Sequence, residues 1–206
     1  MNREGIEELI IQNEWEMFQK VKGLEGRAPC QDQYRTFIIM RLSQFKSWPM
    51  EVVSSYLNDL ETAKSAERNL IMEKYARMME LTDPDYYASI QHLLPPVGEK
   101  AKELVEQITA RYMLWEKEVS MKYPNVRKHG RNASDISADG TVSMKEYLKC
   151  ELITYSEKTL MLLYNQIVSE PDNNLYLLSM EKWRGLLDIL LYKRPKKPFL
   201  DKMKKE

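Results

Sequence analysis

Between Val97 and Tyr123 the residues Ala101, Leu104, Val105, Ile108, Tyr112, Trp115 and Val119 recur three or four positions apart. That spacing returns to one face of an α-helix at each turn. A helix so long with a single apolar stripe must bury it, so the rest of the chain has to supply packing partners. The composition says what those partners are. Glycine is scarce, 7 residues against 13 methionines, while Leu, Glu and Lys abound. Straight-chain residues lose little freedom in a helix, and few glycines leave few tight hairpin turns. The expected fold is all-α, a single-domain bundle of about seven helices.

The punctuation fits that count. The first helix is expected from about Ile6 to Lys22, ended by Gly23 and Gly26. A second follows Pro29 and stops before Pro49, because the residue ahead of proline avoids the helical region. A third runs from Met50 to about Leu81 with a break near Ser65, and a short fourth starts with Asp83 as cap and Pro84 as first residue. The periodic helix is the fifth. Ser143 and Glu146 form a capping-box pattern for a sixth, Met144 to about Ser169, and PDNN precedes a seventh, Leu175 to Tyr192, with Trp183, Leu186, Leu187 and Leu190 at core spacing. Between the fifth and sixth lies a long stretch, 124–142, without periodicity, of the kind that forms a lid, a binding loop or a disordered connection. Residues 1–192 are read as the domain and 193–206, KRPKKPFLDKMKKE, as a flexible basic tail.

Basic and acidic residues balance at 31 each, which gives no overall field for nucleic acid or an anionic membrane, so neither is expected as a partner. The start, MNREGIEELI, is charged where a signal peptide needs an apolar run, and no later segment has the length of a membrane span. A cytoplasmic protein is expected. Cys30 and Cys150 stand alone, without CxxC spacing, so reduced thiols are expected rather than a zinc site or disulfides.

Helical wheels single out the polar residues that need explaining. Ile6, Leu9, Ile10, Met17, Phe18 and Val21 define a broad apolar arc on the first helix, and both Asn13 and Glu14 fall inside it. On the second, Arg41 lands near the centre of the arc made by Tyr34, Phe37, Ile38, Leu42, Phe45 and Trp48. On the sixth, Glu151 lies among Met144, Tyr147, Tyr155 and Leu162. Isolated buried charge is costly enough to demand pairing, so a Glu14–Arg41 ion pair is expected, with Asn13, Gln44 and Tyr155 completing its hydrogen bonds. The same residues have a second reading as a site. Glu14 and Glu151 are the candidate catalytic carboxylates, one of them a general base of raised pKa, and Asn13, Trp15, Arg41, Gln44, Tyr155 and Arg131 are candidate ligand-binding groups. Arg131 belongs to RKHGR, residues 127–131, where arginine forks and Gly130 suit phosphate or carboxylate recognition.

Other chemistries lack residues. Di-iron bundles need Glu-x-x-His pairs, and only His92 and His129 occur, neither at that spacing. An all-carboxylate set of Glu14, Glu151 and Glu118 could hold Mg or Mn and nothing softer; no metal or cofactor is otherwise expected. A serine or cysteine triad would have to draw its base from the same two histidines, and no glycine-rich phosphate loop follows a strand.

The segments NEWEMFQKVKGLEGRAPCQDQYRTFIIMRLSQFKSW, NLIMEKYARMMELTDPDYY and EYLKCELITYSEKTLMLLY resemble the bacterial domain of unknown function 4125 over most of the chain. Asn13, Glu14, Trp15, Cys30, Gln31, Arg41, Gln44, Phe45, Trp48, Glu151, Thr154, Tyr155 and Ser156 fall in the stretches that carry the resemblance. The sequence departs from it at LEGRAPC, where two adjacent glycines are expected, and at Lys149-Cys150, where Arg-Gly is more usual; the latter argues against a role for Cys150. The resemblance implies a small cytoplasmic protein that can act beside a nucleotidyltransferase-like partner. The leading expectation is a small-ligand-binding or accessory module. Its rivals are an enzyme on a small anionic metabolite, with a buried Glu as base and Arg41 as clamp, and a purely structural or interaction protein.

Overall fold

Nine α-helices make up most of the described residues, 1–23, 26–123, 133, 141–170 and 172–187, of a computed structural model. They are α1 (Arg3–Gln19), α2 (Tyr34–Phe45), α3 (Met50–Ser65), α4 (Leu70–Thr82), α5 (Pro84–Ile90), α6 (Glu99–Lys122), α7 (Met144–Leu152), α8 (Glu157–Ser169) and α9 (Leu175–Leu187). No strand occurs among the described residues; an isolated bridge joins Gly23 to Gly26, whose φ of 93° is one a side chain would resist. The all-α fold is as expected. No helix among them is long and apolar enough to cross a membrane.

Two expected helices are each broken in two. The break after Ser65 separates α3 from α4. The second break was not anticipated: the expected sixth helix stops at Leu152 and restarts at Glu157. Thr154 Oγ1 donates back to the Glu151 carbonyl at 2.7 Å, and Ser156 caps the new helix by accepting from the Thr159 N–H at 3.2 Å. Asp59 of α3 then takes the Ser156 N–H at 3.0 Å. Local side-chain bonding and a partner from a distant helix together outcompete helix continuation.

The end of α1 is also a correction. It stops at Gln19, and the buried Gln31 holds the exit, its Nε2 donating to Phe18 O at 2.7 Å within the last turn and to Val21 O at 3.0 Å just past it, ahead of the glycines. Arg3 does the same for α2, donating to Phe45 O at 2.7 Å and Trp48 O at 2.8 Å. Beside it the buried Glu7 accepts from Arg3 and Lys46.

One apolar core runs through the molecule from Ile6 of α1 to Leu175 of α9, with Trp115 and Ile108 of α6 fully enclosed. The stripe that requires a bundle therefore faces its centre. A smaller cluster joins Met78, Val142 and Cys150. α9 packs against α2 and α6. Trp183 does not enter the core as its spacing predicts; it is 41% exposed. The greater part of the 124–142 stretch, with Arg131 and His129, and the tail 193–206 lie outside the described residues.

Candidate functional site

Glu14 is wholly buried at the centre of five converging helices. Arg41 of α2 reaches it with a two-point fork, Nε to Oε2 at 2.7 Å and Nη2 to Oε1 at 2.5 Å, and Tyr56 Oη of α3 donates to Oε1 at 2.6 Å. The remaining face of the same guanidinium turns to α7, where Nη1 donates to Glu151 Oε1 at 2.9 Å and to Gln44 Oε1 at 2.8 Å. Glu151 Oε1 also accepts from Gln44 Nε2 at 3.1 Å and Tyr155 Oη at 2.8 Å. Its other oxygen takes Lys74 Nζ of α4 at 2.9 Å, and Lys74 donates in turn to Tyr147 Oη at 2.6 Å while lying 4.0 Å from that ring's centre. Two carboxylates, a guanidinium and an ammonium thus form a neutral knot in which every carboxylate oxygen is bonded.

The electrostatics follow from burial and neighbours. Burial alone would raise Glu151, but the charges of Arg41 and Lys74 outweigh it and hold the carboxyl far below the usual range. The general base of raised pKa expected from the sequence is therefore not found at Glu151. Burial likewise works against the Lys74 and Arg41 cations, and the neighbouring carboxylates reverse the effect, leaving both more firmly protonated than in water. Burial first, and then the nearby carboxylates, push the Tyr56 and Tyr155 hydroxyls well above their ordinary range. Both stay protonated, and each donates to a carboxylate of the knot.

The structure sorts the sequence candidates plainly. Glu14, Arg41, Gln44, Glu151 and Tyr155 meet in the knot. Asn13 does not: adjacent helix positions differ by about 100°, so only Glu14 can face inward, and Asn13 instead accepts from Lys64 Nζ at 3.3 Å on the outside. Trp15 sits in an aromatic group with Tyr34, Phe37 and Phe18, at centroid distances of 4.7, 5.1 and 6.0 Å. Arg131 lies outside the described residues. Glu118 faces Asn174 at 3.3 Å, apart from the knot, and Glu14 and Glu151 are bridged by Arg41, so the all-carboxylate metal set does not assemble. Among the described residues no three His, Cys, Asp or Glu side chains are grouped as a metal would need. Cys150 is buried, and burial pushes its thiol up to about 11, which leaves it a poor nucleophile.

Lys74 and Tyr56 escaped the sequence reading. Lys74 lies between Ile71 and Met78 on the buried stripe of α4, so the signal that found Arg41 was present there too. Tyr56 is a fully buried core residue of α3, and no local pattern indicates the partner of its hydroxyl.

Beside the knot is a groove of about 450 Å³ between α3, α4, the 95–98 turn and the 153–158 turn, within the size range of small-molecule sites. Its apolar lining includes Leu70, Val97, Ala101 and Ile153. Asp59 lines it as well. That residue is only 8% exposed; Oδ2 holds the Ser156 N–H, while Oδ1 accepts no hydrogen bond among the described residues and is not closed off from solvent. Tyr155 joins the two features, its ring between Tyr56 at 4.6 Å and Trp48 at 6.1 Å and its hydroxyl on Glu151.

A family model described as a protein of unknown function (DUF4125) matches residues 4–188. Comparison with curated proteins gives no match, and comparison with solved structures gives none either.

Proposed function

This chain belongs to the DUF4125 family, whose description carries no activity, and from its geometry we propose a small-ligand-binding module whose site is the groove beside the knot. The observation that carries this reading is Asp59. A carboxylate held almost entirely inside the protein costs stability unless it is fully bonded, and this one leaves an oxygen open to a cavity. The knot supports the site from behind. It fixes Glu151 near the end of α7 and, through Glu151, Tyr155 within the helix break, so that the 153–156 turn forming one wall is held from α2 and α4 at once. Glu14 and Glu151 spend their oxygens inside the knot, which supports a positioning role for them over a catalytic one.

The test is a thermal-shift screen of the full chain against a library of polar metabolites, repeated on Asp59→Asn. That variant keeps an oxygen for the Ser156 N–H and removes the charge. A compound that raises the Tm of the parent and not of the variant supports the reading. Hits indifferent to Asp59→Asn, or a library without hits, count against it.

A further inference from the structure

The groove's charges specify more than polarity once those already satisfied within the protein are set aside. Six charged side chains line it: Arg68, Arg77 and Lys158, and Asp59, Glu73 and Glu157. Arg68 and Glu73 neutralise each other through a fork, Nε to Oε1 at 2.9 Å and Nη2 to Oε2 at 2.7 Å. Lys158 and Glu157 are exposed on the first turn of α8 and can swing into water. Asp59 and Arg77 differ from both pairs. Asp59 is fixed by Ser156 and by burial, with Oδ1 free. Arg77 is half-buried and fixed by a single hydrogen bond, Nη2 to the Pro95 carbonyl at 2.8 Å; among the described residues no carboxylate pairs with it, and its Nε, closed off from solvent, has no partner.

The groove therefore presents one anchored anion and one anchored cation, each under-bonded. They stand on different helices, α3 and α4, with apolar side chains lining the same space. A purely anionic ligand on Arg77 would leave Asp59 unmet or repel it, and a purely cationic one would do the same to Arg77. A molecule with both charges satisfies both. We infer that the groove takes a small zwitterion of the α-amino-acid class, its ammonium donating to Asp59 Oδ1 and its carboxylate accepting from Arg77.

This rests on the groove being a binding site, and the experiment separates the two claims. Free α-amino acids, their N-acetyl derivatives and their carboxamides are titrated against the full chain by calorimetry, followed by Asp59→Asn and Arg77→Gln with far-UV spectra to verify folding. The expected result is that at least one parent amino acid binds and that removing either of its charges weakens binding about ten-fold or more. Each variant should cause a comparable loss. The derivative series uses the unaltered protein, so it stands even where a variant fails to fold. If N-acetyl or carboxamide forms bind as tightly as the parents, or if amino acids fail while a singly charged metabolite binds and responds to Asp59→Asn, the zwitterion inference is overturned and the groove stands. Amino-acid binding unchanged in both folded variants also overturns it. If neither amino acids nor any library compound binds, both claims fall.

Discussion

Arg41 is the residue on which the interior depends. Its fork closes on a carboxylate with no access to water, so removing it strands Glu14 with only the Tyr56 hydroxyl as donor. Arg41→Met should cost roughly 3 to 5 kcal/mol, the range for breaking a buried pair. Adding Glu14→Leu should recover most of that, short of about 1 kcal/mol for the acceptor Tyr56 loses. Urea unfolding of the single and double variants measures both; a loss below about 1 kcal/mol for Arg41→Met, typical of exposed pairs, would contradict the enclosure described. Glu151 gives a prediction in pH. Its carboxyl is lowered from 4.5, so the stability it contributes is complete above that value and is lost only as pH falls towards the depressed folded value. The stability advantage of the parent over Glu151→Gln should be flat from about pH 8 to 5 and narrow below about 4.5. A gap that narrows already between pH 7 and 5 would mean that Glu151 is not ionised by its neighbours.

At the scale of elements, the two helix breaks have different causes and different consequences. The α3–α4 break is local. Ala66 ends α3, Glu67 takes a left-handed φ of 54°, and the Arg68 N–H returns to the Ala63 carbonyl at 2.8 Å, a closure that glycine makes without strain. Glu67→Gly should raise stability by about 0.5 to 1 kcal/mol, the left-handed penalty less the entropy glycine loses. It should appear as a higher urea midpoint with unchanged slope; a lower midpoint would show that the Glu67 side chain matters more than its backbone. The α7–α8 break is tertiary in origin. Ser55 and Asp59, one turn apart on α3, both grip the start of α8, through Thr159 Oγ1 at 2.7 Å and the Ser156 N–H at 3.0 Å. The groove exists because that grip holds the turn open.

At the scale of the molecule, the knot and the core are one structure. The knot ties α1, α2, α3, α4 and α7 together, with 110 positions of sequence between Arg41 and Glu151, and the apolar core continues from it through α6 and α8 to the start of α9. Loss of the knot should loosen everything packed on it rather than one helix. Unfolding followed by tryptophan fluorescence, which samples Trp15 on α1, Trp48 just past α2, Trp115 on α6 and Trp183 on α9, should coincide with unfolding followed by helical circular dichroism. Arg41→Met should shift both curves together. Separate transitions would divide the helices into independent units.

What the sequence by itself determined is what depends on neighbours three or four residues away. The 3.6-residue period of α6, the caps at Ser143 and Asp83 and the proline before Met50 are local signals, and the structure carries each of them. The inward direction of Glu14, Arg41 and Glu151 is equally local, because a helical wheel needs only the helix, and a buried charge then requires a partner somewhere. Which partner it finds is not local. That Lys74 completes Glu151, that Asn13 turns away to Lys64, that Trp183 stays outside the core and that Asp59 breaks a helix almost a hundred positions further on were decided by how the helices cross. Apolar burial is non-directional and roughly additive in area, so its pattern can be read along the chain. Hydrogen bonds and ion pairs require specific atoms within about 3 Å of each other, and only the folded arrangement supplies that distance.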